Sequence, residues 1–241
     1  MKANASFRLE DFKMPAKGEL VEPDFPNGSA QLHISYPGKA FTAGVPTGSA
    51  TVAVLLDDQG KAVDYLVVRY TQLFFGQALL EEARSRTYAA KLLRKVAVPG
   101  VFHFTYEFEA PTGAGNISGF DAVNRRMEAV SGGAKPIYEP RKETEVDGGQ
   151  LEPLHVEVPV FPANFPVPAG KTVRALVSFY VDEQGQVRLP NVESSIPPTL
   201  FAPALSAVLQ WKFKPPVMQG KPALVRTMRA VTFRHPGADG R

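Results

Sequence analysis

The 241-residue chain contains no cysteine. Disulfides, thiolate nucleophiles and cysteine-built zinc sites are therefore excluded. It has no run of about 18 apolar residues, the length a helix needs to cross a bilayer. Its first twenty residues, Met1 to Leu20, lack the apolar core of a signal peptide. A cytoplasmic protein and a processed exported one both fit this start. No five like charges are contiguous, and 27 basic against 24 acidic side chains leave a net charge of only +3. Without a concentrated basic face, nucleic acid is not an expected partner.

Catalytic and metal-binding patterns are equally scarce. His33, His103, His155 and His235 are scattered and never fall at metal-ligand spacing. His103 alternates away from an aromatic strand face and reads as a surface histidine. There is no G-x-S-x-G elbow and no Gly-Lys-Ser/Thr loop. The glycines from Gly113 to Gly119 follow G-x-G-x-x-x-G outside any βαβ unit, which suits a linker better than a phosphate loop. Neither an enzyme nor a cofactor or metal is expected.

The rest of the composition is that of a globular protein, 44% hydrophobic and 21% charged, and the length suits two domains. An internal repeat supports that division. Tyr36-Pro37 precedes Phe161-Pro162 by 125 positions, and at the same offset Asp57-Asp58-Gln59-Gly60 matches Asp182-Glu183-Gln184-Gly185. Thr47, Ala50, Val52 and Val67 recur as Thr172, Ala175, Val177 and Val192. Between Tyr36 and Tyr70 this makes eight identities in 35 positions, against roughly two expected by chance. A one-residue slip then aligns Phe75, Ala78 and Leu79 with Phe201, Ala204 and Leu205.

Each copy carries the same structural signals. Val52, Val54 and Leu56 alternate with Ala53, Leu55 and Asp57, and Leu176 to Val181 behaves likewise, so each is a strand. The Asp-x-x-Gly turns follow, with Gly60 and Gly185 supplying a positive φ. Second strands are expected at Ala62–Tyr70 and Gln186–Ser194. A helix comes next. In the second copy Thr199 is the expected N-cap, Phe201, Ala204, Leu205, Val208 and Trp211 form the apolar stripe, and Pro215-Pro216 ends the element. In the first copy Phe75, Ala78, Leu79 and Ala83 form the stripe. Both copies close with a strand. Phe102, Phe104, Tyr106 and Phe108 share one face of the first, and Val225, Thr227, Arg229, Val231 and Phe233 one face of the second.

The predicted fold class is α+β: two repeated β-β-α-β modules, each a small antiparallel sheet packed by one helix. The modules are expected at 30–110 and 154–236. A linker at 111–153 carries a short helix near 118–131, and residues 135–150 read as loose.

This order, with Trp211-Lys212-Phe213-Lys214-Pro215 and Gly220-Lys221-Pro222 in the second copy, resembles the C-terminal domain of TonB-family energy transducers. The resemblance runs from about Leu154 to Arg234. The first copy keeps the turn, helix and aromatic strand but has Ser85-Arg86-Thr87-Tyr88 where Trp-x-Phe-x-Pro would stand. In that family the domain is periplasmic and takes up a short segment of an outer-membrane transporter as an added strand. The resemblance thus implies a periplasmic location and a protein or peptide partner. A small open sheet points to the same mode, because an unpaired border offers N–H and C=O groups to an extended chain. The expected contact residues are Val225, Arg226, Thr227, Arg229, Val231 and Phe233. Arg226, Arg229 and Arg234 either guard that border or attract an acidic peptide. The alternative is a scaffolding module whose two copies pair with each other or with another chain. An enzyme with a cleft between the copies is the third and least supported reading.

Overall fold

The computed structural model describes residues 9–25, 34–111, 135–163, 165–166 and 172–234. The expected helix near 118–131, the Gly113–Gly119 stretch, His33 and His235 lie outside the described residues.

In chain order the elements are β1 (Leu20–Val21), α1 (Gly38–Thr42), β2 (Thr47–Leu56), β3 (Ala62–Tyr70), α2 (Leu73–Ser85), β4 (Lys91–Leu93), β5 (Val96–Val98), β6 (Gly100–Glu109), β7 (Arg141–Lys142), β8 (Pro153–His155), β9 (Arg174–Val181), β10 (Val187–Val192), α3 (Phe201–Leu209), β11 (Lys212–Phe213), β12 (Val217–Met218), β13 (Lys221–Pro222) and β14 (Val225–Thr232). The chain is mixed α+β with mostly antiparallel sheets. One larger sheet has the order β3-β2-β6, the other β10-β9-β14-β7. In both, the first strand lies in the middle, its hairpin partner on one side and the strand after the helix on the other.

The two hairpin turns have the same geometry. Asp57 Oδ1 accepts the N–H groups of Gln59 and Lys61, both at 2.9 Å. Asp182 Oδ1 accepts those of Gln184 at 3.1 Å and Gln186 at 2.8 Å. Gly60 and Gly185 adopt φ of +78° and +80°, a region that L side chains avoid. The acidic pairs are turn formers, as their spacing predicts.

Each helix packs on one face of its sheet. Phe75, Leu79 and Ala83 of α2 meet Val52, Val54 and Leu56 of β2 and Phe104 and Phe108 of β6. Gly76 also faces in, because a side chain there would run into Val67. Phe201, Ala204, Leu205 and Val208 of α3 meet Val177 and Phe179 of β9 and Val231 of β14. The helix has no side-chain cap: Pro198–Leu200 forms a 3-10 turn that runs into it, so Leu200 and not Thr199 stands at the N-cap. Trp211 lies beyond the helix end, yet it is buried in the same cluster.

The opposite faces of the sheets pack on each other. Ala53, Leu55, Val68 and Val101 of the first form one buried cluster with Tyr180 and Leu189 of the second. The layers are therefore helix, sheet, sheet, helix. This explains why β2 and β9 read as nearly continuous apolar runs: both of their faces are covered. At the margin, Arg188 grips Asp64 through two hydrogen bonds of 2.8 and 2.6 Å. Tyr138 stacks on Tyr70 with ring centroids 4.9 Å apart and donates to Glu183 at 2.6 Å. Residues 135–150, expected to be loose, are thus tied down. Val146 joins the core cluster of the second sheet, and Asp147 accepts the N–H groups of Gln219 and Gly220.

Candidate functional site: the border of the last strand

The β14 strand pairs antiparallel with β9 along its whole length. In such a ladder, alternate residues turn their backbone groups to one neighbour and then the other. Phe233 donates its N–H to Val173 on the β9 side at 3.0 Å. Arg234 donates outward, to Pro159 at 2.8 Å, and accepts from Phe161 at 3.0 Å. Leu224 also faces outward, accepting the Arg141 N–H at 2.8 Å. Odd-numbered residues from Val225 to Phe233 therefore bond inward, and even-numbered ones bond outward.

The border is only partly open. At one end β7 runs parallel to it, opposite Val225 and Arg226. At the other end Val160 forms a parallel bridge with Arg234. Between these two plugs, Met228, Ala230 and Thr232 pair outward with no other strand among the described residues, although the Met228 carbonyl accepts the Arg229 guanidinium at 3.0 Å. The open stretch from Thr227 to Phe233 spans about 20 Å at about 3.3 Å per residue. The three-stranded sheet with a bare border, expected from sequence, is thus a four-stranded sheet with a window.

A groove of about 400 Å³ runs beside this window. Val156, Pro159, Trp211 and Phe213 form its apolar wall, and Arg229 to Arg234 form its strand side. Trp211 is held by a bond from its indole N–H to the Glu157 carbonyl at 2.7 Å, and it meets Phe179 edge-on at 5.7 Å. It is a core residue with one edge on the groove. The loop after α3 is pinned from the turn side, since Phe213 donates its N–H to Gly185 at 2.9 Å.

The expected contact residues divide into three groups. The side chains of Val225, Val231 and Phe233 are buried against α3, at 0%, 3% and 4% exposure. Thr227 and Arg229 point to the same face but are held by Glu143, which accepts the Thr227 hydroxyl at 2.7 Å and the Arg229 guanidinium. Burial raises the affinity of Glu143 for a proton. The bonds from Arg229, the Leu151 N–H and Thr227 outweigh it and hold the carboxyl below its ordinary value. Arg226 points the other way, into a cleft between the sheets. Arg229 is therefore neutralised and Arg226 lies off the groove, which weakens an electrostatic pull on an acidic peptide at this border. The backbone groups that carry the window belong to Met228, Ala230 and Thr232. Sequence alternation separates odd from even residues but does not tell which set faces the border, because that depends on the register with β9.

His103 is exposed, as its surface reading expects, and also reaches across to the other sheet. It faces the second sheet, with Nε2 3.0 Å from the Tyr180 hydroxyl. Its pKa is lowered, first by burial and then by the Arg226 charge. No cluster of three metal-ligating side chains occurs among the described residues. No helix among them is long and apolar enough to cross a membrane.

A family model described as "Gram-negative bacterial TonB protein C-terminal" matches residues 168–235. The match covers the second unit and supports one TonB C-terminal-like domain; it does not extend to the first unit. No curated protein and no solved structure matches the chain.

Proposed function

We propose that residues 154–236 form a periplasmic protein-interaction module that takes up an extended segment of a partner as an added strand at Met228, Ala230 and Thr232. The observation that carries this reading is the window itself: outward N–H and C=O groups with no backbone partner among the described residues, beside an apolar groove, with only the Met228 carbonyl engaged, by the Arg229 guanidinium. The family likeness of residues 168–235 supports it, since TonB C-terminal domains are interaction modules and not enzymes. An incoming strand in register would alternate its side chains, placing every second one over Trp211 and Phe213. The favoured partner segment is short, extended and apolar at alternate positions. The partner class is a protein or peptide, with an outer-membrane transporter as the leading candidate.

The unit at 30–110 is, in this reading, a diverged copy of the same β-β-α-β module. Its equal turn geometry and equal strand order support that. Its role is scaffolding. The two units meet through sheet faces and not through borders, so this pairing leaves the β14 window free.

The test is a titration of the isotope-labelled chain with extended peptides taken from the periplasm-facing segments of outer-membrane transporters. Binding peptides are expected to shift the amides of Met228, Ala230 and Thr232 most. Binding that leaves those three amides unmoved would rule the window out.

A further inference from the structure

The window in β14 ends where the chain's own preceding segment meets the border, and the cause is local. Val160 is bridged to Arg234 in parallel register: Arg234 donates its N–H to Pro159 at 2.8 Å and accepts from Phe161 at 3.0 Å. In a parallel ladder the next rung would set Val158 beside Thr232. The Thr232 N–H would then bond to the Glu157 carbonyl, and the Thr232 carbonyl to the N–H of residue 159. Neither bond forms. Residue 159 is proline, which has no N–H. The Glu157 carbonyl instead accepts the Trp211 indole N–H at 2.7 Å.

The segment that turns away is nonetheless patterned as a strand. Leu154, Val156, Val158 and Val160 alternate with His155, Glu157 and Pro159. Leu154, Val156 and Val160 stand 66%, 39% and 38% exposed. The segment lies across the groove from β14, since Val156 to Pro159 and Arg229 to Arg234 line the same space of about 400 Å³. It is tethered at both ends, to Arg234 through Val160 and to Lys212 through His155.

We propose that residues 156–160 are a resident competitor for the border, and that Pro159 and Trp211 hold them off it. Without these two, the segment zips onto β14 rung by rung. Val158 comes beside Thr232 and Val156 beside Ala230, on the face turned away from α3. Closure stops there, because His155 is held by Lys212 and the Met228 carbonyl accepts the Arg229 guanidinium at 3.0 Å. Two of the three outward residues of the window are then covered. Pro159 and Trp211 act as positioning residues, deciding whether the border is free for a visitor. Closure itself is independent of any partner; its effect on binding rests on the border-pairing function proposed above.

The test compares the parent chain with Pro159→Ala, which restores the missing donor. A double variant adds Trp211→Phe, which releases the Glu157 carbonyl and keeps an aromatic ring in the core. Folding of each is checked by thermal melting, and amide exchange is then read residue by residue without peptide. In the double variant the Thr232 amide is expected to exchange at least about tenfold more slowly than in the parent, followed by Ala230, while Val231 and Phe233 stay protected. Peptides that bind the parent are expected to lose at least about tenfold in apparent affinity, because only the open fraction accepts them. In a folded double variant, Thr232 exchange as fast as the parent's overturns the proposal, whether or not peptides bind the parent. Slowed exchange with undiminished peptide affinity supports the closure and overturns the border-pairing function instead. If the double variant does not fold, Pro159→Ala alone decides, since the carbonyl side of the first rung needs only that donor. The amide introduced at position 159 is then expected to exchange as slowly as that of Phe161, which bonds in the same ladder. Fast exchange there overturns the proposal.

Discussion

Proline substitution along β14 separates border pairing from sheet integrity. Ala230 turns its N–H outward, so Ala230→Pro removes a donor that no described residue uses. Proline is tolerated in an edge strand at just such positions. Val231 turns its N–H to β9, opposite Ala175. Val231→Pro therefore breaks a ladder bond, at a cost of about 3 kcal/mol or more. At about 2–4 °C per kcal/mol for a chain of this size, its Tm should fall by at least about 6–12 °C. For Ala230→Pro the melting curve should stay close to the parent's. Its effect falls on binding instead: the visiting strand would keep a carbonyl with no donor, at about 1–3 kcal/mol. That is a loss of about 5- to 150-fold in affinity, to which the intruding ring adds. The assays are calorimetric melting and peptide titration by fluorescence anisotropy. If Ala230→Pro bound like the parent, or unfolded as Val231→Pro should, the parity assigned to the border would be wrong.

Three further outcomes follow from the packing. Gly185→Ala should destabilise the second unit by about 2 kcal/mol or more, because the residue sits at φ +80° and a methyl there would meet the Phe213 carbonyl. Gly148→Ala, at φ +94° with open space around it, should cost less in the same denaturant titration. Trp211→Ala should cost about 3–5 kcal/mol as a core truncation, whereas Trp211→Phe keeps the ring packing and loses mainly the bond to Glu157, about 1 kcal/mol. Glu143, whose folded pKa lies below the ordinary value near 4.5, stabilises the fold above that value and loses this contribution as pH falls through it. Chemical denaturation between about pH 6 and pH 3 should show less acid destabilisation in Glu143→Gln than in the parent.

Much of this architecture was legible in local chemistry. The two Asp-x-x-Gly turns, the bounds of β3 and the Phe75, Leu79 and Ala83 stripe follow from short-range spacing, and the structure bears them out. What sequence missed depends on long-range packing. Residues 135–150 look like a loop by composition, yet Tyr138, Val146 and Asp147 anchor them to partners distant in the chain. His103 alternates away from the aromatic face and stays exposed as expected, but only the packing of the two sheets brings its ring to the Tyr180 hydroxyl. Thr199 lost its capping role because Pro197 and Pro198 start a 3-10 turn before the helix. The outward-facing backbone groups of this strand belong to the residues between the candidate contact residues. Only the register with β9, together with the plugs from Arg141-Lys142 and Val160, reveals that.

Residue-resolved amide hydrogen exchange of the free chain is the most direct test. Between the two plugs, Met228, Ala230 and Thr232 should exchange fast, while Arg229, Val231 and Phe233 stay protected by their bonds to the β9 side. Uniform protection across Met228 to Phe233, or fast exchange at the odd positions instead, would contradict an open strand border at this site.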